Sequence, residues 1–298
     1  MFTSKLRTLL SAAVLTVMAT ATVTAEAARI VVGGKNFTEQ QIMAEMTSQL
    51  LRAHGYDVDM RAGMGSVVLR QAQEAGQVDV YWEYTGTSLI TYHRIEERMS
   101  PEETYQKVKE LDAEKGLVWL EPSAANNTYA LAMKREEAEE QNIHTLSDLA
   151  KVYNEGEPLD LAANAEFVGR PDGLRPLQET YGFEVPRRNL KRMDTGLTYQ
   201  ALRQDQVDVA LVFATDGRIP AFDFKVLEDD KGFFPSYALT PVIRKDTLDE
   251  HPELADILNE LSAKLDDATM ARLNAQVDVE RKTIEAVAED FLKEQGLI

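Results

Sequence analysis

Residues 195–217 read TGLTYQALRQDQVDVALVFATDG, and the outline of this stretch occurs twice in the chain. Residues 65–86, GSVVLRQAQEAGQVDVYWEYTG, share with it Leu-Arg-Gln, then Gln-Val-Asp-Val, an aromatic residue, a threonine and a glycine. Each copy predicts a helix, a tight turn and a short apolar strand of the kind buried on both faces of a parallel sheet. Open α/β sheets bind ligands beyond the carboxyl ends of their strands, so two copies predict two α/β lobes facing a shared cleft. The alternative is chance similarity between two common helix-turn-strand units.

Length, composition and charge limit the possible functions. A chain of 298 residues with 44% hydrophobic content is long enough for two domains and is not typical of a disordered protein. The formal net charge of −18 argues against nucleic acid as a partner, because phosphate contacts require clustered Lys and Arg. Cysteine is absent, which excludes disulfides, a thiolate nucleophile and cysteine-bound metal.

The amino-terminal residues resemble an export signal. Lys5 and Arg7 precede an uncharged, Ala- and Thr-rich run over residues 9–25, and Ala25-Glu26-Ala27 offers a small-residue cleavage point. A membrane anchor is the alternative, but the run is near the lower length for a span. We therefore expect residues 1–27 to be a cleavable signal peptide and the mature chain to be periplasmic.

The mature chain begins with a predicted strand at Arg29, followed by GGKNFTEQ at residues 33–40. Thr38 is the expected N-cap of a helix that ends near His54, so Lys35 lies in the strand-to-helix turn. Gly-Gly-Lys is too short for a phosphate-binding loop. The four histidines lack metal-ligand spacing, and no Ser-His-Asp arrangement is visible. We expect neither a cofactor nor a metal.

Six blocks of the sequence together resemble one known family. They are GGKNFTEQ at 33–40, YWEYTGT at 81–87, NNTYAL at 126–131, FVGRPDG at 167–173, TDG at 215–217 and FFPSYAL at 233–239. The chain is similar in these blocks, and in their order, to the glycine betaine/choline-type substrate-binding proteins of osmoprotectant ABC importers. The resemblance implies a bilobal type II periplasmic-binding-protein fold, with two α/β lobes joined by a two-crossing hinge. It also implies a small quaternary ammonium ligand and the membrane permease subunits of an ABC transporter as partners.

The resemblance implies an aromatic cage, because a quaternary ammonium group donates no hydrogen bonds and is held by aromatic faces. The implied cage residues are Tyr84 or Tyr81, then Tyr129, Phe213 and Tyr237. Packing is the alternative role of each ring. Phe213 stands where the family commonly has tyrosine, so we expect a modest loss of affinity.

Polar ligand contacts are expected from the same blocks. Arg170 follows a predicted strand and can hold a carboxylate through two parallel hydrogen bonds. A surface ion pair with Glu166 or Asp172 is the alternative from the residues alone, and the resemblance favours the carboxylate-holding role. The other expected ligand-binding residues are Lys35, Asn127, Thr215 and Asp216.

The order of predicted elements gives the domain boundaries. We expect lobe 1 to comprise residues 28–128 and 236–298, and lobe 2 to comprise residues 129–235. The first crossing falls within residues 118–134 and the return crossing near residues 235–237. Two carboxyl-terminal helices, at 247–263 and 278–295, are expected to complete lobe 1 in a packing role.

The sequence therefore predicts a monomeric binding protein that captures an osmolyte such as glycine betaine or choline. A carrier of another small cation or amino acid is one alternative. An enzyme on a related two-lobe scaffold is the other, but an enzyme site should show a positioned acid, base or nucleophile, and the sequence shows none.

Overall fold

Two five-stranded sheets organise residues 28–298, which are the part of the chain that this computed structural model describes. The expected signal peptide, residues 1–27, lies outside the described residues. The strands are β1 Arg29–Lys35, β2 Asp57–Met64, β3 Val80–Tyr84, β4 Leu117–Trp119, β5 Tyr129–Lys134, β6 Leu161–Ala163, β7 Leu190–Arg192, β8 Val209–Phe213, β9 Phe224–Val226 and β10 Leu239–Arg244.

The two sheets have the same pattern of strand directions. Lobe 1 is built on the order β2-β1-β3-β10-β4, and lobe 2 on β7-β6-β8-β5-β9. In each sheet the first three strands are parallel, whereas β10 and β5 run antiparallel to their neighbours. The sheets are therefore mixed rather than purely parallel. The physical reason is that β5 and β10 each enter a lobe from the cleft and run away from it, while the other central strands run toward it.

The repeated sequence forms equivalent structures in the two lobes, as expected. Its helices are α2 Ser66–Glu74 and α8 Leu197–Arg203, and its strands are β3 and β8, each in the middle of its sheet. Every residue of both strands is buried. The last residue of β3 is Tyr84 and that of β8 is Phe213, so both copies direct an aromatic residue to the cleft edge.

The remaining helices cover both faces of the sheets. They are α1 Thr38–Ala53, α3 Pro101–Ala113, α4 Arg135–Glu140, α5 Leu146–Glu155, α6 Ala165–Gly169, α7 Leu174–Tyr181, α9 Arg218–Ala221, α10 Lys245–Glu250, α11 Leu254–Ser262, α12 Asp267–Asp278 and α13 Ile284–Glu294, with a short π-helix at Thr87–Tyr92 and a 3-10 turn at Arg187–Asn189. None of the helices in residues 28–298 has both the length and the apolar character needed to cross a membrane.

Several helices start at a side-chain cap, but α1 differs from the expectation. Ser100 caps α3 and Thr145 caps α5 through reciprocal capping boxes. Thr38, in contrast, is the first residue of α1, and Phe37 is the N-cap without a side-chain bond. The Thr38 hydroxyl donates instead to Asp278 at 2.9 Å. The cap prediction was wrong because a tertiary partner, 240 residues away in sequence, competes for that hydroxyl.

The two expected crossings lie side by side. Asn126 and Ala238 form an isolated antiparallel bridge. The Asn127 amide donates to the carbonyl of Tyr237 at 3.2 Å, and the Leu239 amide donates to the carbonyl of Ala125 at 3.0 Å. Two adjacent extended segments of this kind can act as a hinge, because small backbone rotations in both turn one lobe against the other.

The carboxyl-terminal tail forms more helices than expected and contacts both lobes. The expected helix at 247–263 is divided into α10 and α11 at Pro252, which cannot donate a backbone hydrogen bond. The sequence reading missed α12 altogether. Helix α13 packs on α1 in lobe 1, whereas α12 contacts α1 and also α9 in lobe 2. At Gly217 a Cβ atom would lie 2.5 Å from the Ala271 carbonyl oxygen, so α12 approaches lobe 2 closely.

Candidate ligand-binding site

A cavity between the sheets collects seven of the ten residues expected at the site. The four aromatic ones are Tyr84, Tyr129, Phe213 and Tyr237, and the three polar ones are Lys35, Asn127 and Arg170. Tyr84 and Phe213 end the two repeated strands, and Tyr129 begins β5 after the first crossing. The cavity therefore lies at the cleft edge of both sheets, where the repeat predicts it.

The aromatic rings contact one another across the cavity wall. Tyr129 and Phe213 are direct partners on adjacent antiparallel strands, and their ring centroids are 5.2 Å apart. Tyr237 meets the Tyr129 ring edge-to-face at 5.7 Å and 86°. All are at least nine-tenths buried. The rings are thus fixed by packing rather than free to swing into solvent.

Phe37 also lines the cavity, and it was not among the site residues predicted from the sequence. It lies in the turn between β1 and α1, stacks on Phe213 at 5.2 Å and 13°, and stacks less closely on Tyr84 at 6.2 Å and 23°. A lobe 1 ring therefore lies on a lobe 2 ring. The only signal available was an aromatic residue two positions after Lys35, and sequence alone did not show which way that ring points.

Tyr81 and Tyr84 were alternatives for one cage position, and Tyr84 is the one whose ring lines the cavity. Tyr81 packs against Leu69 and Val78 on the other side of β3, and its hydroxyl donates to Glu83 at 2.9 Å. Because the two tyrosines are an odd number of residues apart on one strand, they point to opposite faces.

Arg170 lies at the polar end of the cavity and already has carboxylate partners. Its Nε and Nη2 donate to the two oxygens of Asp172 at 2.7 and 2.6 Å, and Nη1 donates to Glu166 at 3.2 Å. Nη2 also lies 3.3 Å from the Thr87 hydroxyl of lobe 1. Both ion pairs considered from sequence therefore exist, and the Nη1 edge is the part of the guanidinium that faces the partly exposed Glu166.

Glu166 is the more exposed of the two carboxylates on Arg170. Its side chain is 35% exposed, against 3% for Asp172. Burial raises the pKa of Glu166, but the Lys35 charge, a hydrogen bond from Ser66 and the Arg170 charge lower it further, so the net pKa lies below its usual range. Glu166 is thus an ionised group, and its exposure allows it to be displaced.

Lys35 is paired in the same way. Its ammonium group is 2% exposed, lies 2.5 Å from Glu83 and stands 4.9 Å from the centroid of the Tyr84 ring. The two cations at the polar end of the cavity, Lys35 and Arg170, are therefore paired with three carboxylates, Glu83, Glu166 and Asp172, of which Glu166 lines the cavity. Two positive and three negative charges leave this group with a net charge of −1.

Thr215 and Asp216 line a second, neighbouring cavity of about 140 Å³. The two cavities share Asn127 and the stacked rings of Phe37 and Phe213 as walls. The Thr215 hydroxyl donates to Glu39 at 2.5 Å, and Asp216 accepts two hydrogen bonds from the Arg218 guanidinium and one from its backbone amide. The structure therefore separates these two residues from the aromatic cavity. Within residues 28–298, no group of three or more acidic or histidine side chains is placed to bind a metal ion.

The aromatic cavity is small in this conformation. Its volume is about 30 Å³, against about 140 Å³ for the neighbouring cavity. A ligand of several heavy atoms therefore fits only when the lobes turn apart about the crossings or the rings separate.

Comparison with known proteins agrees with this geometry. Residues 28–294 match the family described as the substrate binding domain of ABC-type glycine betaine transport systems. A glycine-betaine-binding protein of Pseudomonas aeruginosa is 46% identical over 92% of this chain and 90% of its own length. The glycine betaine-binding protein YehZ of Escherichia coli is 35% identical over 91% of this chain and 92% of its own.

A solved structure described as a glycine betaine/carnitine/choline ABC transporter superposes with a TM-score of 0.73 at 31% identity, covering 90% of this chain and 99% of that one. The superposition confirms the bilobal periplasmic-binding-protein fold. The family match, the sequence identity to the relatives and the structural superposition each cover nearly all of the described chain. The chain therefore belongs to the family of substrate-binding domains of ABC-type glycine betaine transport systems.

Proposed function

We propose that the chain captures a small quaternary ammonium osmolyte, of the glycine betaine or choline type, between its lobes and delivers it to the permease of an ABC importer. The observation that carries the proposal is the convergence of four aromatic side chains on one interlobe cavity beside Lys35 and Arg170. Aromatic faces attract a cation that cannot donate hydrogen bonds, through the negative face of the ring.

The two ends of such a ligand would have different partners. The ammonium group would lie among Tyr84, Tyr129, Phe213 and Tyr237. A carboxylate, where the ligand has one, would take the place of Glu166 on the Nη1 edge of Arg170, because Asp172 is buried and bidentate whereas Glu166 is partly exposed. The names of the relatives, which refer to glycine betaine, carnitine and choline, support this ligand class.

Further parts of the proposal concern the whole molecule. We assign residues 28–128 with 236–298 to lobe 1 and residues 129–235 to lobe 2, with export directed by a signal peptide at residues 1–27 and function in the periplasm. We infer a monomer that has no nucleic acid partner and no enzymatic activity. The acidic composition and the absence of a recognisable catalytic arrangement in the sequence support the last two points.

Calorimetric titration of the mature chain with glycine betaine, choline, carnitine and proline betaine tests the proposal. We expect at least one to bind, and 3,3-dimethyl-1-butanol, the uncharged carbon analogue of choline, to bind more weakly than choline. If none of the four ammonium compounds binds while a basic or neutral amino acid does, the ligand class is wrong and the carrier of another small molecule becomes the better reading.

Phe213→Tyr is expected to tighten the binding of a quaternary ammonium ligand by about 0.5 to 1 kcal/mol, because a tyrosine ring is the better cation partner. The gain is small since the apolar ring face is already present and the new hydroxyl needs a partner. Phe213→Leu keeps apolar bulk but removes the π face and is expected to weaken binding. Calorimetric titration of the three proteins with the same ligand at fixed salt measures these differences. Equal affinities of the unaltered protein and Phe213→Leu would show that the side chain at position 213 only packs against its neighbours.

A further inference from the structure

Glu39 is a buried carboxylate beside the aromatic cavity, and the proposed function gives it no role. It is the second residue of α1 and is only 2% exposed. Four donors meet its two oxygens. Tyr84 Oη and Asn127 Nδ2 donate to Oε1 at 2.7 and 2.8 Å, and Thr215 Oγ1 and Asn274 Nδ2 donate to Oε2 at 2.5 and 3.2 Å.

The number of donors indicates the charge of this group. An ionised carboxylate has about four lone-pair positions and can accept from all four partners at once. The amide nitrogens of Asn127 and Asn274 can only donate, whereas the hydroxyls of Tyr84 and Thr215 can also accept, so a protonated acid would have to donate to one of these hydroxyls. Burial raises the pKa of Glu39, and hydrogen bonds from Thr215, Tyr84, Asn274 and Asn127 oppose that shift without cancelling it, so the net pKa lies above its usual range. All four partners donate to Glu39 at the same time only when it is ionised, and it is in this form that we expect Glu39 to act.

The charge of Glu39 is not cancelled by an ion pair within the described chain. Its hydrogen-bond partners are neutral side chains. Lys35, the cation nearest to it in sequence, pairs with Glu83 instead. Burial of a negative charge without a cationic partner costs free energy. The attraction to a cation that approaches through a medium of low dielectric offsets part of this cost.

Tyr84 connects this charge to the cavity. Its ring lines the cavity wall while its hydroxyl donates to Glu39. A phenol that donates to a carboxylate gains electron density on its ring, which strengthens the attraction of the ring face for a cation. The same hydrogen bond fixes the orientation of the ring.

We propose that Glu39 is a positioning and specificity-determining residue, whose ionised carboxylate holds the Tyr84 ring in place and makes the site prefer a cationic ligand to a neutral one of the same shape. This inference rests on the proposed function. It differs from the cage itself because it assigns the preference for positive charge to a residue behind the aromatic wall.

The test compares choline with 3,3-dimethyl-1-butanol, in which carbon replaces the ammonium nitrogen without changing the shape. The quantity of interest is the ratio of their dissociation constants in each variant. Glu39→Gln is expected to lower the preference for choline about tenfold, and Glu39→Asp, which keeps the charge, is expected to preserve most of that preference even where both ligands bind more weakly.

Glu45→Gln is the matched control. Glu45 lies on the same helix, is 7% exposed and bonds to Gln49 one turn away, outside both cavities. Its replacement is expected to leave the ratio unchanged. If Glu39→Gln weakens both ligands equally, Glu39 has only a structural role and the inference is overturned.

Two further outcomes are informative. If Glu39→Gln does not fold, Tyr84→Phe replaces it, because that variant keeps the ring and removes the hydroxyl through which the charge acts. An unchanged ratio in Tyr84→Phe then overturns the inference. If the unaltered protein binds none of the quaternary ammonium compounds, the proposed function fails together with this inference, whereas normal choline binding with an unmoved ratio rejects the inference alone.

Discussion

Arg170→Ala is expected to weaken the binding of glycine betaine by about 2 to 5 kcal/mol, which is the usual effect of truncating one partner of a buried, hydrogen-bonded charge pair. The lost group is the guanidinium whose Nη1 edge faces Glu166 and the cavity. Choline has no carboxylate, so its affinity is expected to fall much less. Calorimetric titration of both ligands gives the two losses from one pair of proteins.

The control for this prediction is Arg218→Ala in the same lobe. Arg218 is also buried, and it forms a bidentate pair with Asp216, two positions away in the sequence. Arg170 forms the same kind of pair with Asp172, also two positions away. Removal of either arginine leaves a buried aspartate without its cation, so both variants should melt at a lower temperature. Only Arg170→Ala should change the preference between glycine betaine and choline. Equal losses for the two ligands would contradict the carboxylate-holding role.

Asp112→Asn is expected to lower the free energy of unfolding by about 3 to 5 kcal/mol, because it removes the buried carboxylate partner of the buried Arg70 and leaves it only the partly exposed Glu74. Asp112 is fully buried and accepts two hydrogen bonds from Arg70, at 2.8 and 2.5 Å, and one from the Trp119 indole at 2.7 Å. An asparagine can accept at only one of its two terminal atoms. Arg70 also stands over the ring of Tyr92, whose hydroxyl donates to Glu83, the partner of Lys35. Contacts through Arg70, Tyr92 and Glu83 therefore connect Asp112 to Lys35 in the cavity wall.

Urea denaturation followed by tryptophan fluorescence measures this loss, since both tryptophans of the chain, Trp82 and Trp119, lie on strands of lobe 1. Asp59→Asn is the control. Asp59 also pairs with arginines, Arg29 and Arg61, but at the surface, where such pairs contribute little. A loss of equal size in both variants would show that burial of the Asp112 pair is not the cause.

The same variant has an expected pH dependence. Burial raises the pKa of Asp112, but hydrogen bonds from Arg70 and His93 and the Arg70 charge lower it more, so the net pKa is well below its usual range. A depressed pKa contributes stability at pH values above the pKa of the unfolded chain, and that stability is lost as the pH falls toward the folded value. The difference between the natural protein and Asp112→Asn should therefore be full at neutral pH and shrink below about pH 4.

The sequence by itself determined the features that depend on local pattern. Each Gln-Val-Asp-Val unit leads into a central strand, β3 or β8, and the residues that end these strands, Tyr84 and Phe213, reach one cavity. Capping boxes at Ser100 and Thr145 start their helices through residues three positions apart. These features were accessible because periodicity and capping involve residues a few positions apart, whose relative geometry is fixed by the backbone.

Only the tertiary structure decided which side chains share the cavity and which charges they carry there. Glu39 meets Asn274, 235 residues away, and Thr215, 176 residues away. The choice of Tyr84 over Tyr81, the stacking of Phe37 on Phe213 and the approach of α12 to Gly217 likewise depend on how the two lobes meet. No short-range pattern encodes such contacts, because each forms only when packing brings distant elements together and gives a buried polar group the partner it requires.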